Sequence, residues 1–399
     1  MADSQADSQA DSQADSQADS TVQAFDAGLS GVVVAETRLS DVDGEGGHLT
    51  IAGHDAENLA GRVCYEAVLG MLLAAAGGPE TSEADLRRRL GEARVRAFAA
   101  EGFLAAGAVP RDGAAAVRAA MATREAADGG GGDVIGEVTD VVGAVAVAAA
   151  AFARRHAGAA PIAPDPTADH ATDLLRMAIG GAPSRAAALA LGGYLATVSD
   201  HGMNASTFTA RVVASTGSDL VSAIVAAVGA LKGPLHGGAP GPVLDMLDAL
   251  GTPDNARSWL QKELAAGRRI MGMGHRIYRA RDPRAAILER LARTLEFPAV
   301  EARLELARAV ESEAEILLAA KKPERPLKAN VEFYTAVLLD ALGLDRAVFT
   351  PIFAAGRAAG WCAHVIEQRK TARLVRPASR YVGIVPGLAP LSATTSALL

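Results

Sequence analysis

Cysteine is scarce in this 399-residue sequence: Cys64 and Cys362 are the only two. One disulfide at most could form, so a cross-linked scaffold is excluded and a reducing, cytoplasmic setting is the simpler expectation. An excess of positive charge is also missing, with 39 Lys+Arg against 46 Asp+Glu and a formal net charge of -7. Asp3, Asp7, Asp11, Asp15 and Asp19 crowd into the first twenty residues. The remainder is nearly balanced, which argues against a broad nucleic-acid-binding face. Long apolar runs are absent: the longest, Val141–Ala153, lies between Asp140 and Arg154 and falls short of the roughly 20 residues that span a bilayer. No charged segment followed by an apolar stretch opens the sequence, so neither a secretory signal nor a membrane partner is expected. Aromatic residues make up only 4%, so the core must close through Ala and Gly.

What is present is a long chain that reads as helix, sized for one or two domains. Residues 2–20 repeat Ala-Asp-Ser-Gln four times and then run out, with too little apolar surface to order, which predicts a disordered tail over residues 1–20. Between residues 29 and 52, Gly31–Ala35 and His48–Ile51 are short β-type runs flanking a turn-rich stretch at 41–47, which predicts a small hairpin. From there, residues 186–199, 220–231, 285–295, 300–318, 331–342 and 351–369 place apolar side chains at three- and four-residue spacing. The Gly-rich stretch 128–133 and the Pro-rich stretch 157–167 read as connections. No β-branched runs alternate with the helices, so the fold class is mainly α rather than a parallel α/β sheet.

Three histidines sit in loops built from small residues: His201 in Asp200-His201-Gly202-Met203-Asn204, His236 in Gly233-Pro234-Leu235-His236-Gly237-Gly238, and His275 in Gly272-Met273-Gly274-His275-Arg276. Glycine lets backbone approach a ligand, and imidazole titrates near neutrality, which suits proton transfer. Singly, each reads equally well as a helix cap or a satisfied carbonyl partner. No His-x-x-x-His or Cys-x-x-Cys spacing points to a metal. His48, His54, His156, His170 and His364 read as surface or packing residues. Asn330 is placed to cap a helix whose first turn holds Glu332, where the helix dipole favours an ionised carboxylate. Thr350 and Pro351 read as the cap and first residue of another helix, with Gly356 and Gly360 forming a close-packing face around Arg357. A buried guanidinium on that face calls for an anionic partner. Arg284, Arg357 and Arg376 together suit a dicarboxylate.

These segments stand in a telling order: His-Gly-x-Asn-Ala-Ser-Thr at 201–207, Gly-Pro-Leu-His-Gly-Gly-Ala at 233–239, Gly-His-Arg-x-Tyr with Asp-Pro-Arg at 274–284, Asn-Val-Glu-Phe-Tyr at 330–334, Phe-Thr-Pro-Ile-Phe at 349–353 and Arg-Pro at 376–377. The ensemble closely resembles the citrate synthase family over roughly residues 29–385. The resemblance implies a two-domain helical fold with a small N-terminal β-hairpin: a large domain from 21–236 and 338–399, and a small domain at 237–337 that closes over the substrates. It implies a homodimer that condenses oxaloacetate with acetyl-CoA to citrate, or with propionyl-CoA in the 2-methylcitrate branch, and then hydrolyses the thioester. No metal or redox cofactor is implied, since acyl-CoA is a substrate.

By the same resemblance Glu332 is the base, His236 stabilises the enolate, and His275 polarises the ketone. His201, Arg284 and Arg357 hold oxaloacetate, Arg376 reaches the partner's site, and Arg279 meets CoA phosphate. The family pattern carries Asp where Glu332 stands, one methylene shorter. A non-catalytic paralogue that senses CoA or a dicarboxylate is the contrasting class, and the intact set of His236, His275, Glu332 and Arg284 speaks against it.

Overall fold

The computed structural model describes residues 26–29, 31–100, 110–124, 133–238, 240–321, 323–324 and 327–383. The repeat tail and all of the 128–133 connection except Asp133 lie outside the described residues. The chain divides into two compact units, Met1–Thr37 and Arg38–Leu399. In the first, the described residues form a turn and a stretch without regular secondary structure, with Val33 largely exposed.

The second unit opens with an antiparallel sheet of β1 (Ser40–Asp43), β2 (His48–Ile51) and β3 (His54–Asp55) in that order. The expected second strand is there, but its partner is Ser40–Asp43 and not Gly31–Ala35; Ser40 pairs with Ile51 and Asp43 with His48. Turn chemistry decides this over β-propensity. The Asp43 carboxylate accepts from the N–H groups of Glu45 at 3.1 Å and Gly46 at 2.8 Å, and Gly47 takes a positive φ of 70°. The chain therefore reverses immediately before β2 and offers it the residues just upstream.

Helices form the rest: α1 (Ala56–Leu59), α2 (Tyr65–Ala75), α3 (Glu83–Ala100), α4 (Gly113–Ala122), α5 (Val134–His156), α6 (His170–Ile179), α7 (Arg185–Val198), α8 (Ala205–Ser215), α9 (Leu220–Leu231), α10 (Pro240–Leu250), α11 (Ala256–Ala265), α12 (Pro283–Arg293), α13 (Pro298–Lys321), α14 (Val331–Ala341) and α15 (Phe349–Thr371). Caps explain many of the starts. Asp133, Asp169, Ser184, Asn204 and Asp219 each accept a backbone N–H in the first turn of α5, α6, α7, α8 and α9. The apolar run at 141–153 is the middle of α5, whose length and composition alone would let it cross a membrane. In the protein, 78% of that window is buried, so it is a core helix. Small residues let its neighbours close in: a Cβ on Gly143 of α5 would stand 3.0 Å from the Ala93 methyl of α3. Both cysteines are free thiols.

Three helices start two residues before the expected position, α13 among them at Pro298. α15 begins at Phe349, not Pro351, because a 3-10 turn at Arg346–Val348, capped by Asp345, runs directly into it. Thr350 is thus inside the first turn and donates its hydroxyl to the Gly237 carbonyl at 2.9 Å. Pro351 still falls among the first-turn positions, where a missing N–H costs nothing. α12 begins at Pro283, with the Asp282 carboxylate accepting from the Arg284 N–H at 3.0 Å.

Candidate active site

Six of the eight singled-out side chains converge. His201 follows α7 and His236 follows α9, each a few residues past the helix end. His275 lies on the loop before α12, Arg284 in its first turn, Glu332 in the first turn of α14, and Arg357 inside α15.

The His201 ring is buried and stands edge-on to His275, with centroids 5.5 Å apart and an interplanar angle of 82°. Its Nε2 lies 3.2 Å from the Tyr278 hydroxyl. His275 accepts at Nδ1 from the backbone N–H groups of Ile277 at 3.0 Å and Tyr278 at 3.1 Å. Its neutral form must therefore carry the proton on Nε2. That Nε2 is 3.5 Å from Nη2 of Arg284, so two donors face each other across a gap that suits an oxygen acceptor. Arg284 is fixed by a fork onto Asp282, Nε to Oδ1 at 3.0 Å and Nη2 to Oδ2 at 2.7 Å. The Asp282 Oδ2 also accepts from the Val331 N–H at 3.2 Å. One carboxylate thus caps α12 and α14 and couples Arg284 to the helix that carries Glu332. Asn330 occupies the expected cap position of α14, but its side chain makes no cap and donates instead to the Gly274 carbonyl at 2.9 Å.

His236 Nε2 is 2.8 Å from the Ser206 hydroxyl. That hydroxyl also accepts from Trp361 Nε1 at 3.1 Å and can donate to Asn204 Oδ1 at 2.8 Å. When Ser206 gives its hydrogen to Nε2, the imidazole keeps its own on Nδ1. Arg357 is buried, its guanidinium carbon 4.9 Å from the Phe353 ring centroid. Its Nε donates to the Val198 carbonyl, while Nη1 has no partner among the described residues.

Burial governs the charges. It pushes His236 down to about 4, aided by Arg357 and Arg284. His275 also falls to about 4, through burial and then Arg284, with Asp282 pulling the other way. His201 lies well below the usual imidazole range, through burial, Arg284 and its histidine neighbours. Arg357 drops to about 10 by burial, against the pull of Asp200. Burial also raises Glu332 above the ordinary carboxylate range, and Arg284 only partly offsets it. The sequence argument had the helix dipole favouring ionisation there; desolvation outweighs the dipole.

Two arginines stand apart. Arg376 is exposed on the segment after α15, and no hydrogen bond or ion pair joins it to the cluster among the described residues. Arg279 is exposed, its backbone N–H bound to the Gly44 carbonyl at 2.8 Å. Sequence reasoning gave no role to Asp282, Tyr278, Ser206 or Asp200, although Asp-Pro before a helix was a readable cap signal for the first. His170 and His364 prove fully buried within polar networks. Among the described residues no group of three or more His, Cys, Asp or Glu side chains is arranged to hold a metal ion.

The family model for the citrate synthase C-terminal domain matches residues 28–378. Over 197 residues the chain is 48% identical to a Mycobacterium tuberculosis protein named putative citrate synthase 2, a match spanning 49% of this chain and about half of that relative, 52%. It is 36% identical over 385 residues to the citrate synthase of Haloferax volcanii, covering 89% of this chain and 95% of that one. It is 35% identical over 377 residues to the 2-methylcitrate synthase of M. tuberculosis, covering 90% and 92%. Among solved structures, citrate synthase from Thermotoga maritima superposes with a TM-score of 0.79 at 31% identity, covering 94% of this chain and 99% of that one. Citrate synthase from Thermoplasma acidophilum, in a ternary complex with carboxymethyl coenzyme A and oxaloacetate, gives 0.81 at 27% identity, covering 93% and 99%.

Proposed function

The chain belongs to the citrate synthase family, and from that premise we propose that it condenses oxaloacetate with an acyl-CoA and hydrolyses the resulting thioester. The observation that carries the reading is the convergence of the half-buried Glu332 carboxylate with the His236 and His275 imidazoles beside two buried guanidiniums, Arg284 and Arg357. Arg284 and Arg357, with His201, hold the keto-diacid; the free Nη1 of Arg357 is a donor for one of its carboxylates. His275 presents its Nε2–H to the ketone oxygen and gives up that proton as the alkoxide forms. Glu332 takes a proton from the carbon next to the thioester, and His236, with its hydrogen on Nδ1, donates to the enolate oxygen. A second copy of the chain supplies Arg376, and exposed Arg279 meets CoA phosphate. In this reading 237–337 is the small domain that closes over the large one, the protein works in the cytoplasm, and the chemistry draws on no metal or redox cofactor.

We take acetyl-CoA as the acyl donor. Propionyl-CoA is the second reading, favoured by the 35% identity to a 2-methylcitrate synthase. One methyl group is worth only about 10- to 200-fold in a pocket, so both thioesters must be assayed. Free CoA thiol released from each in the presence of oxaloacetate tests the function; the larger kcat/KM assigns the donor, and protein that binds oxaloacetate yet releases no CoA from either refutes catalysis. Glu332→Gln keeps the size and removes the base, and should cut turnover by about 100-fold or more with similar oxaloacetate affinity. Near-normal turnover would dismiss Glu332.

A further inference from the structure

Behind the histidine cluster runs a chain of buried polar groups. The Asp200 carboxylate is fully buried. It accepts from the Ser40 hydroxyl at 2.6 Å and lies 3.1 and 3.2 Å from Nε2 of His364. The Ser40 oxygen in turn accepts from the Gly202 N–H at 2.7 Å. The two residues flanking His201 are therefore held by one hydroxyl–carboxylate pair. His364 is also fully buried, and its Nδ1 faces Nη1 of Arg211 at 2.8 Å. A guanidinium can only donate, so Nδ1 accepts and the His364 proton sits on Nε2, directed to Asp200. Arg211 is anchored by Glu367 at 2.6 Å and Gln368 at 3.0 Å.

The same segment is gripped along one face of α15. Arg357 donates to the Val198 carbonyl. A Cβ on Gly360 would lie 2.1 Å from the Ser199 oxygen. His364 meets Asp200. These three residues are spaced three and four apart and so share a helix face. Burying a charge is costly even when it is hydrogen-bonded, and the partners of Asp200 are a hydroxyl and an imidazole that carries its proton on Nε2. A fully buried carboxylate beside a substrate-facing histidine therefore calls for another reason.

We propose that the chain Ser40–Asp200–His364–Arg211 is a positioning device for the dicarboxylate half of the site, with Asp200 fixing the place of the His201 ring. Asp200 is also the foremost carboxylate acting on Arg357 from the protein side. It touches no reacting group: its hydrogen bonds go to Ser40 and His364. The inference rests on reading His201, Arg284 and Arg357 as the keto-diacid clamp, and it predicts that disturbing the chain is felt by oxaloacetate and not by acyl-CoA.

Calorimetric titration of the full-length protein with oxaloacetate, beside steady-state KM values for both substrates, tests this. Asp200→Asn should weaken oxaloacetate binding by about tenfold or more, the scale of one charged hydrogen bond, while the acyl-CoA KM moves less than about twofold. His364→Gln, which keeps an N–H for Asp200, should recover much of what His364→Ala loses. Ser40→Ala should act in the same direction with a smaller effect, and it carries the test if Asp200→Asn does not fold. Wild-type-like oxaloacetate affinity in a folded Asp200→Asn protein, or in Ser40→Ala, overturns the proposal. So does an equal rise in both KM values, the mark of a merely structural role. Failure of the wild-type protein to bind oxaloacetate overturns the clamp itself, and with it this inference; binding by wild type with indifferent variants overturns the positioning role alone.

Discussion

At the scale of single residues, the decisive quantity is which groups carry charge when substrate arrives. His236 and His275 are both held at about 4, so near neutral pH they act as neutral imidazoles. The proton that His275 offers a ketone is then a neutral N–H, and the acid limb of the rate profile belongs to Glu332. Because burial raises that carboxyl above its ordinary 4.5, kcat/KM should fall as pH drops at a point above 4.5, before either histidine gains a proton. A Glu332→Asp variant should move that limb. An inflection near 6.5 that Glu332→Asp leaves in place would show titrating imidazoles instead. The histidines also make a stability prediction. Their folded pKa is depressed below the unfolded 6.5, so the unfolded chain binds more protons, and stability should be lost as pH falls from about 6.5 to about 4. Denaturant midpoints measured across that range check it, and a flat midpoint overturns it. The positions of these residues were legible in the sequence because short motifs fix them. Their charge states were not, because a carboxylate in a first turn looks ionised until the burial around it is known. Asp200 and His364 were invisible as partners for the same reason: 164 residues separate them, and neither carries a local signal.

Elements meet here through glycine. On α15, a Cβ at Gly356 would come within 2.5 Å of a Val198 methyl, and one at Gly360 within 2.1 Å of the Ser199 carbonyl oxygen. The second obstacle is backbone on the segment that carries His201, so it cannot yield by turning a rotamer. Gly360→Ala should therefore cost about 1–3 kcal/mol, the usual range for overpacking, and should raise the oxaloacetate KM as α15 and the 199–201 segment part. Denaturant unfolding together with kinetics measures both; a variant with wild-type stability and KM would show that the contact relaxes freely. The paired glycines were readable as a packing face from their spacing alone. α9 was likewise readable end to end, Leu220–Leu231, because Asp219 caps it and its apolar residues repeat at helical spacing. Where the reading failed, the deciding feature lay just outside the element. β1 is chosen by the Asp43 turn that follows it, and the start of α15 by the 3-10 turn that precedes it.

On the scale of the whole molecule, Arg376 and Arg279 both stand outside the cluster of their own chain, and the proposed function sends only Arg376 to a second copy. Arg376 lies exposed beyond the end of α15, and the proposed function has it completing the site of a second copy. A single chain cannot display this, and no pattern in the sequence marks a residue as acting across an interface; the assignment came from the Arg-Pro motif by resemblance. The geometry of a two-fold dimer nevertheless makes the idea sharply testable, because each copy would lend the same residue to the other. Take two inactive variants, Glu332→Gln and Arg376→Ala, and let their chains exchange at equal ratio by gentle dissociation and reassembly. If Arg376 serves the partner, each mixed dimer holds one site lacking both groups and one site that is wholly intact. Half of the dimers are mixed on random pairing, so the preparation should recover about a quarter of wild-type turnover. If Arg376 serves its own chain, every site in the mixture lacks one group and no activity returns. The oxaloacetate KM of the recovered activity should equal the wild-type value, since the site producing it has both Glu332 and Arg376. A recovered activity with a raised KM would instead point to partial occupancy of the site by some other cation.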